Sequence, residues 1–107
     1  MYVEAFAGGG GSAGVTEFEF FVNDLAGGAI FTKTTTKKAK GIYLDYIVSG
    51  ARHHYYVSVD APNNVYYGSG SADAIDSNYS ATFTDSAITF NRAFSSSSRS
   101  IAGVVVY

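Results

Sequence analysis

The chain has no cysteine and no tryptophan, a single proline among 107 residues, and few charged side chains. Without cysteine it can form neither a disulfide framework nor a thiolate metal site. Charged residues make up 15% of the sequence, against about 25% in an ordinary soluble domain. The net charge of −2 gives no electrostatic reason to expect nucleic acid as a partner.

The sequence also contains no run of apolar residues long enough to span a bilayer. Its first residues, Met1-Tyr2-Val3-Glu4, show neither the basic region nor the apolar region of a signal peptide. We therefore expect no membrane insertion and no secretion signal.

Nine tyrosines, eight phenylalanines and many small or hydroxyl-bearing residues take the place of the missing charges. Such surfaces lose their water at a lower cost than surfaces rich in lysine and glutamate, so they pack readily against copies of themselves. A chain of 107 residues has room for one domain. We expect a single domain over residues 1–107, with a glycine-rich loop at residues 8–14.

Apolar and polar residues alternate at a period of two along most of the chain, which is the spacing of half-buried β-strands. The clearest alternations lie at residues 15–22, 41–48 and 53–60, with weaker ones at 2–7, 29–35, 65–68, 79–84, 87–94 and 100–107. About nine short strands separated by turn-forming residues predict an all-β fold, an antiparallel two-sheet sandwich that is jelly-roll-like. We expect its core to centre on Phe18, Phe20, Leu44, Tyr46, Val57, Phe83, Ile88 and Phe90.

The residues that most often carry chemistry do not form a recognisable site. His53 and His54 are the only histidines, and on a strand neighbouring side chains point to opposite faces, so the two cannot easily bind one ion. The one match to Gly-x-Ser-x-Gly, Gly10-Gly11-Ser12-Ala13-Gly14, lies in the glycine-rich segment and is followed by a predicted strand, whereas a nucleophile elbow leads into a helix. Asp73 and Asp76 follow a loop that does not have EF-hand spacing, so a solvated turn explains them better than Ca²⁺. We therefore predict a protein that is not an enzyme and has no catalytic residue, no metal and no cofactor.

Two tyrosine pairs are the strongest candidates for contact with a ligand. Tyr55-Tyr56 and Tyr66-Tyr67 lie on either side of a predicted turn at residues 62–64. If their segments form a hairpin, one tyrosine of each pair lies on the outer face near its counterpart. Exposed tyrosine rings suit sugar stacking or a protein interface, whereas cross-strand aromatic pairs also simply stabilise sheets.

Four of the seven cationic residues lie close together, at Lys33, Lys37, Lys38 and Lys40. This cluster predicts a patch for an anionic partner. The alternative is an exposed loop or edge strand, where lysine prevents unwanted strand pairing.

The final residues, 103–107, place apolar side chains on both faces of a strand. Such a strand is buried from two sides, either because it is central in its own sheet or because another subunit covers it. Together with the low charge, this pattern favours a homo-oligomer.

Three features together resemble one group of known proteins: the glycine-rich segment 8–14, the tyrosine-rich strands within residues 41–68, and residues 95–107 with their ending Ile101-Ala102-Gly103-Val104-Val105-Val106-Tyr107. In these features the chain resembles the small, cysteine-free β-sandwich modules of phage virions, which are head fibres, decoration proteins and tail tips. The resemblance includes no diagnostic motif, so no site residue can be transferred from that group.

The resemblance implies a non-enzymatic structural or attachment protein of a virus particle that acts through oligomeric contacts. It further implies a homo-oligomer, with a trimer favoured, contacts with other virion proteins, and a location in the virion after assembly from the cytoplasm. The alternative is a carbohydrate-binding module that uses exposed tyrosines to bind a cell-surface glycan.

Overall fold

The computed structural model describes residues 16–68 and 73–107, which form nine β-strands and no helix. The strands are β1 (Phe18–Leu25), β2 (Thr32–Thr34), β3 (Gly41–Val48), β4 (Ala51–Ser58), β5 (Tyr66–Gly68), β6 (Ala74–Ile75), β7 (Ala81–Phe83), β8 (Ala87–Phe90) and β9 (Arg99–Val106). Eight of them match predicted strands, and β6 was not predicted. The strand predicted at residues 2–7 and the loop predicted at residues 8–14 lie outside the described residues.

The strands form two antiparallel sheets that enclose a shared core. One sheet has six strands in the order β1-β9-β3-β4-β5-β6, and the other has three in the order β2-β8-β7. The predicted all-β, antiparallel two-sheet sandwich of nine strands is therefore confirmed.

A two-residue turn between β3 and β4 sets the register of the large sheet. Val48 pairs with Ala51 across the turn, and both residues in it have positive φ, 50° at Ser49 and 81° at Gly50. Two such residues are the mark of a type I′ hairpin, whose twist matches that of the flanking strands. The register that follows places Tyr43 opposite Tyr56.

The core lies between the sheets and contains most of the residues predicted for it. Leu44, Tyr46, Val57, Ile88 and Phe90 are buried, and Phe83 is partly buried against them. The prediction did not include Phe31, which is fully buried just before the short strand β2.

The predictions for Phe18 and Phe20 are wrong, because β1 turns its other face inward. Phe18 is 44% exposed and Phe20 is 72% exposed. The pairing of β1 with β9 directs these two side chains away from the core and directs Glu19 and Phe21 toward it.

Specific contacts explain why the face of β1 that carries a glutamate is the inner one. Glu19 accepts hydrogen bonds from the Lys33 ammonium at 2.8 Å and from the Tyr107 hydroxyl at 2.6 Å, so its charge is compensated. Phe21 packs on Phe31 with ring centroids 6.0 Å apart. Gly103 lies opposite Phe21, and a Cβ at that position would come within 2.8 Å of the Phe21 ring.

The strand β9 lies between β1 and β3, inside the six-stranded sheet. Val104, Val105 and Val106 are all buried there, on both faces of the strand. Of the two explanations for its apolar ending, the central position in its own sheet is confirmed.

Candidate functional site on the outer face

The outer face is the side of the six-stranded sheet that is turned away from the three-stranded sheet. Among the described residues, six large apolar side chains are exposed, and five of them lie on this face. They are Phe18, Phe20, Val22, Ile47 and Ile75, with exposures from 44% to 72%. Isolated exposed apolar residues are ordinary, but their concentration on one face makes that face the candidate interaction surface.

A groove runs along the outer face over β1, β9 and β3. Its volume is about 590 Å³, and its lining includes Phe20, Tyr43, Asp45, Ile47, Arg52 and Ala102. The small side chain of Ala102 lies between Val22 of β1 and Asp45 of β3. The side chain of Ala102 extends only a short distance from the sheet, whereas those of Phe20 and Ile47 beside it extend farther. This difference gives the groove its depth.

The groove has one charged pair on its β4 side. The Nε of Arg52 lies 3.3 Å from Oδ2 of Asp45, and the Arg52 side chain is 69% exposed while that of Asp45 is 19% exposed. The guanidinium therefore remains available to a ligand or subunit at the edge of an otherwise apolar surface. No pattern in the sequence predicted this groove.

Next to the groove, four aromatic rings form a row across β3, β4 and β5. Tyr43 stacks on His54 at 5.9 Å, and His54 is 6.4 Å from Tyr56. Tyr56 stacks on Tyr66 at 5.0 Å with only 6° between the ring planes. Each ring thus supports the next.

The two tyrosine pairs divide between the faces of the sheet. Tyr56 and Tyr66 lie side by side on the outer face, whereas Tyr55 and Tyr67 face the core with ring centroids 4.9 Å apart. Burial raises the pKa of the Tyr55 hydroxyl far above its ordinary value. Contact with a ligand therefore remains a prediction for Tyr56 and Tyr66, while Tyr55 and Tyr67 serve the core.

Asp73 connects the chain before β6 to the aromatic row. Its Oδ1 lies 2.9 Å from Nε2 of His54, and its Oδ2 accepts a hydrogen bond from the Tyr56 hydroxyl at 3.2 Å. The side chains of His54 and Asp73 are only 13% and 11% exposed. This hydrogen bonding fixes the position of the Tyr56 ring on the outer face.

The other candidate polar residues have structural partners. His53 faces the core, where Nδ1 lies 2.7 Å from the Tyr67 hydroxyl, so the two histidines do point to opposite faces. Oδ1 of Asp76 accepts a hydrogen bond from the backbone N–H of Asn78 at 3.0 Å, which closes a local turn. In residues 16–68 and 73–107, no group of three or more histidines and carboxylates could hold a metal ion.

The structure separates the four lysines into two kinds. Lys33 is 12% exposed and binds Glu19, with its ammonium 5.2 Å from the centre of the Phe21 ring, and Lys37 binds Glu17 at 2.5 Å. Lys38 and Lys40 are exposed. Binding of an anionic partner remains a prediction. Such a partner would contact Lys38 and Lys40, whose charges are not paired with Glu17 or Glu19.

No helix in the described part of the chain is long and apolar enough to cross a membrane. A scan against protein-family models, a search of curated proteins and a search of solved structures each found no match. The function is therefore inferred from the outer face itself.

Proposed function

We propose that this chain is a non-enzymatic structural or attachment protein of a virus particle, and that it works through contacts of its outer face with neighbouring subunits. The observation that carries the proposal is the concentration of five of six exposed large apolar side chains on that face. Water-exposed apolar area favours association because its burial releases free energy in proportion to the area removed from water. The virus particle as the setting comes from the resemblance to phage virion modules.

The orientation of β1 supports this reading. A shift of one residue in strand register would exchange the two faces of β1 and bury Phe18 and Phe20. The bonds of Glu19 to Lys33 and Tyr107 hold the strand in the opposite orientation. The outward position of the phenylalanines is therefore specified by the sequence, as expected for an interface.

The mass of the protein in solution tests the proposal. We expect size-exclusion chromatography with light scattering to show a homo-oligomer at about 100 µM, a concentration at which interfaces of modest size are occupied. Ile47→Ser should lower the mass, because Ile47 is 59% exposed on the outer face. Ile30→Ser is the matched control, since Ile30 is 50% exposed but lies outside that sheet. Equal masses for the two variants would count against an outer-face contact.

A carbohydrate-binding module is the second candidate, and the Tyr56–Tyr66 stack favours it. Sugar sites combine aromatic rings with nearby hydrogen-bonding groups, and Asp73 lies within hydrogen-bonding distance of Tyr56. On a glycan array, Tyr66→Ala should abolish binding, whereas Ile30→Ser, at an exposed position outside the six-stranded sheet, should leave it unchanged. Absence of any bound glycan, or equal binding by Tyr66→Ala and the wild type, would reject this candidate.

A further inference from the structure

We propose that two copies of this chain pair through their β1 strands, edge to edge and antiparallel, so that their six-stranded sheets become one continuous sheet. The inference goes beyond the proposed function, because the contact is made by the edge of the sheet and not by its outer face. Four observations carry it: the length of the edge, the direction of its backbone groups, the register it allows and its charge.

The strand β1 is a long edge without the features that usually protect edges. It ends the six-stranded sheet and has eight residues, with no proline, lysine or arginine. Of the described strands, only β9 pairs with it. Natural proteins normally shorten such edges, or place lysine, proline or a bulge on them, because an unpaired edge invites another strand.

The lengths of the other edges indicate which strand fits. The remaining sheet-end strands are β6 with two residues, and β2 and β7 with three residues each. None of them can pair with all of β1. A second β1 matches it in length, and a contact of one surface with itself closes as a two-fold dimer.

The hydrogen bond between Tyr107 and Glu17 shows which backbone groups of β1 face outward. The Tyr107 N–H donates to the Glu17 carbonyl at 2.8 Å, which extends the β1–β9 ladder by one hydrogen-bonded pair. Because hydrogen-bonded and non-hydrogen-bonded pairs alternate in an antiparallel ladder, every second residue from Glu17 directs its N–H and C=O toward β9. The residues between them, Phe18, Phe20, Val22 and Asp24, direct theirs toward the open edge.

One register uses these outward groups and the full length of the strand. If Phe20 lies opposite Val22 of the second copy, then residues 17–25 are paired in both copies. Four opposed pairs with two bonds each give about eight backbone hydrogen bonds, within the range of about 10 ± 5 for typical interfaces. Apolar side chains meet across the seam, and Glu19 lies opposite Asn23, so no like charges face each other.

The charge on β1 does not prevent the contact. Glu17 and Glu19 would otherwise repel the same residues of a second copy, but each already binds a lysine of its own chain, Lys37 and Lys33 respectively. Only Asp24 remains without such a lysine among the described ion pairs.

An interface of this kind is narrow, so it belongs to the class that buries less than about 1,200 Å² and dissociates readily. We expect a monomer–dimer equilibrium with a dissociation constant in the range of about 1–100 µM. A two-fold contact gives dimers or even-numbered assemblies, and it does not by itself build the trimer that the resemblance favours.

The first test removes one outward hydrogen-bond donor. Val22→Pro eliminates an N–H that the alternation of the β1–β9 ladder directs toward the open edge, at a position where proline is tolerated. Val22→Thr is the matched control, because it loses the same apolar side chain but keeps the N–H and the β-branch. By light scattering at about 100 µM, we expect the mass of Val22→Pro to fall below that of Val22→Thr, because both variants lose the apolar side chain and only proline removes the N–H.

The second test does not depend on how proline affects folding. The chain has no cysteine, so single cysteines can be introduced at Phe20 and Val22. Directly opposed residues have Cα atoms about 5.5 Å apart, which suits a disulfide, whereas two copies of Phe20 would be about 8–9 Å apart, beyond its reach. Under mild oxidation, a mixture of Phe20→Cys and Val22→Cys chains should therefore form a mixed disulfide dimer at least several times faster than either chain alone.

The outcomes separate this inference from the proposed function. An oligomer that loses mass with Ile47→Ser but not with Val22→Pro, and whose mixed cysteines do not cross-link preferentially, overturns the β1 pairing and leaves the outer-face contact standing. A dimer that is lost with Val22→Pro but unaffected by Ile47→Ser supports the β1 pairing alone. A chain that is monomeric at every concentration overturns both.

Discussion

Replacing Phe20 and Phe21 with alanine, one at a time, tests which face of β1 is turned inward. The two residues are neighbours and both are phenylalanine, so the two alanine variants have the same composition and the same helix and strand propensities. Only their orientation in the sheet differs.

The structure predicts very different costs for the two substitutions. Phe21 packs on Phe31 at 6.0 Å and lies under the Lys33 ammonium at 5.2 Å. Truncation of a fully buried phenylalanine costs about 3–5 kcal/mol, and because Phe21 is only partly buried we expect about 2 kcal/mol of unfolding free energy. Phe20 is 72% exposed, so its truncation should cost less than about 0.5 kcal/mol in the monomer. The corresponding losses in melting temperature are roughly 8 °C or more for Phe21→Ala and 4 °C or less for Phe20→Ala.

The measurement is urea unfolding followed by far-ultraviolet circular dichroism, since the chain has no tryptophan. It should be made at about 1 µM, where association contributes little to the apparent stability. An unchanged m value would show that the denatured state is the same in both variants. If Phe20→Ala cost as much as Phe21→Ala or more, Phe20 would not be exposed, and the apolar outer face would lose one of its main residues.

Four further substitutions or titrations test other parts of the structure. Thr35→Val should raise the unfolding free energy by about 0.5–1 kcal/mol in urea, because the Thr35 hydroxyl is buried and has no hydrogen-bond partner among the described residues. Gly50→Ala should lower it by about 1 kcal/mol by thermal unfolding, because Gly50 has a φ of +81°. Hydrogen bonds from Lys33 and Tyr107 lower the pKa of Glu19, so its stabilising contribution is present above about pH 4.3 and is lost as the pH falls through the lower folded pKa. Glu19→Gln should flatten that part of the acid unfolding curve measured in urea. Burial raises the pKa of Tyr55, so the unfolded state ionises at a lower pH than the folded state. The free energy of unfolding should therefore decrease as the pH rises above about 10. Absorbance near 295 nm should show tyrosinate appearing together with unfolding.

The sequence predicted the strands well where polar and apolar residues contrast clearly. The segment 41–48 was predicted with the bounds of β3, and the predicted segment 53–60 begins and ends two residues after β4. Leu44 and Val57 were correctly placed in the core because each lies among apolar residues at a strict period of two. The strand β6 has only two residues, which is too few to produce a periodic signal.

Periodicity failed at β1 because both of its faces carry phenylalanine. The prediction chose the face with more apolar residues, whereas the partners that compensate Glu19 are 14 and 88 residues away in the chain. No local pattern reveals such partners. The same reason explains why Lys33 was not recognised as a residue that bridges the two sheets.

The candidate site was predictable only within a single hairpin. The alternation of side chains along a strand predicted that one tyrosine of each pair lies on the outer face near its counterpart, and the structure shows that these are Tyr56 and Tyr66. The groove could not be predicted in the same way, because its lining depends on β9 lying between β1 and β3. That arrangement depends on the strand order, and no local pattern in a single sequence reveals which distant strands pair.

The position of β9 also has a consequence for the synthesis of the chain. The ribosome produces β9 after every other described strand, yet β1 and β3 contact each other only through it. While β9 is still in the ribosome, β1 has no neighbour among the described strands of its sheet, and the hairpin of β3 and β4 has one open side. Pairings between such distant segments form slowly, and unpaired strands are prone to aggregate in the meantime. The growing chain should therefore depend on chaperones, or on rapid completion, until residues 99–106 have emerged.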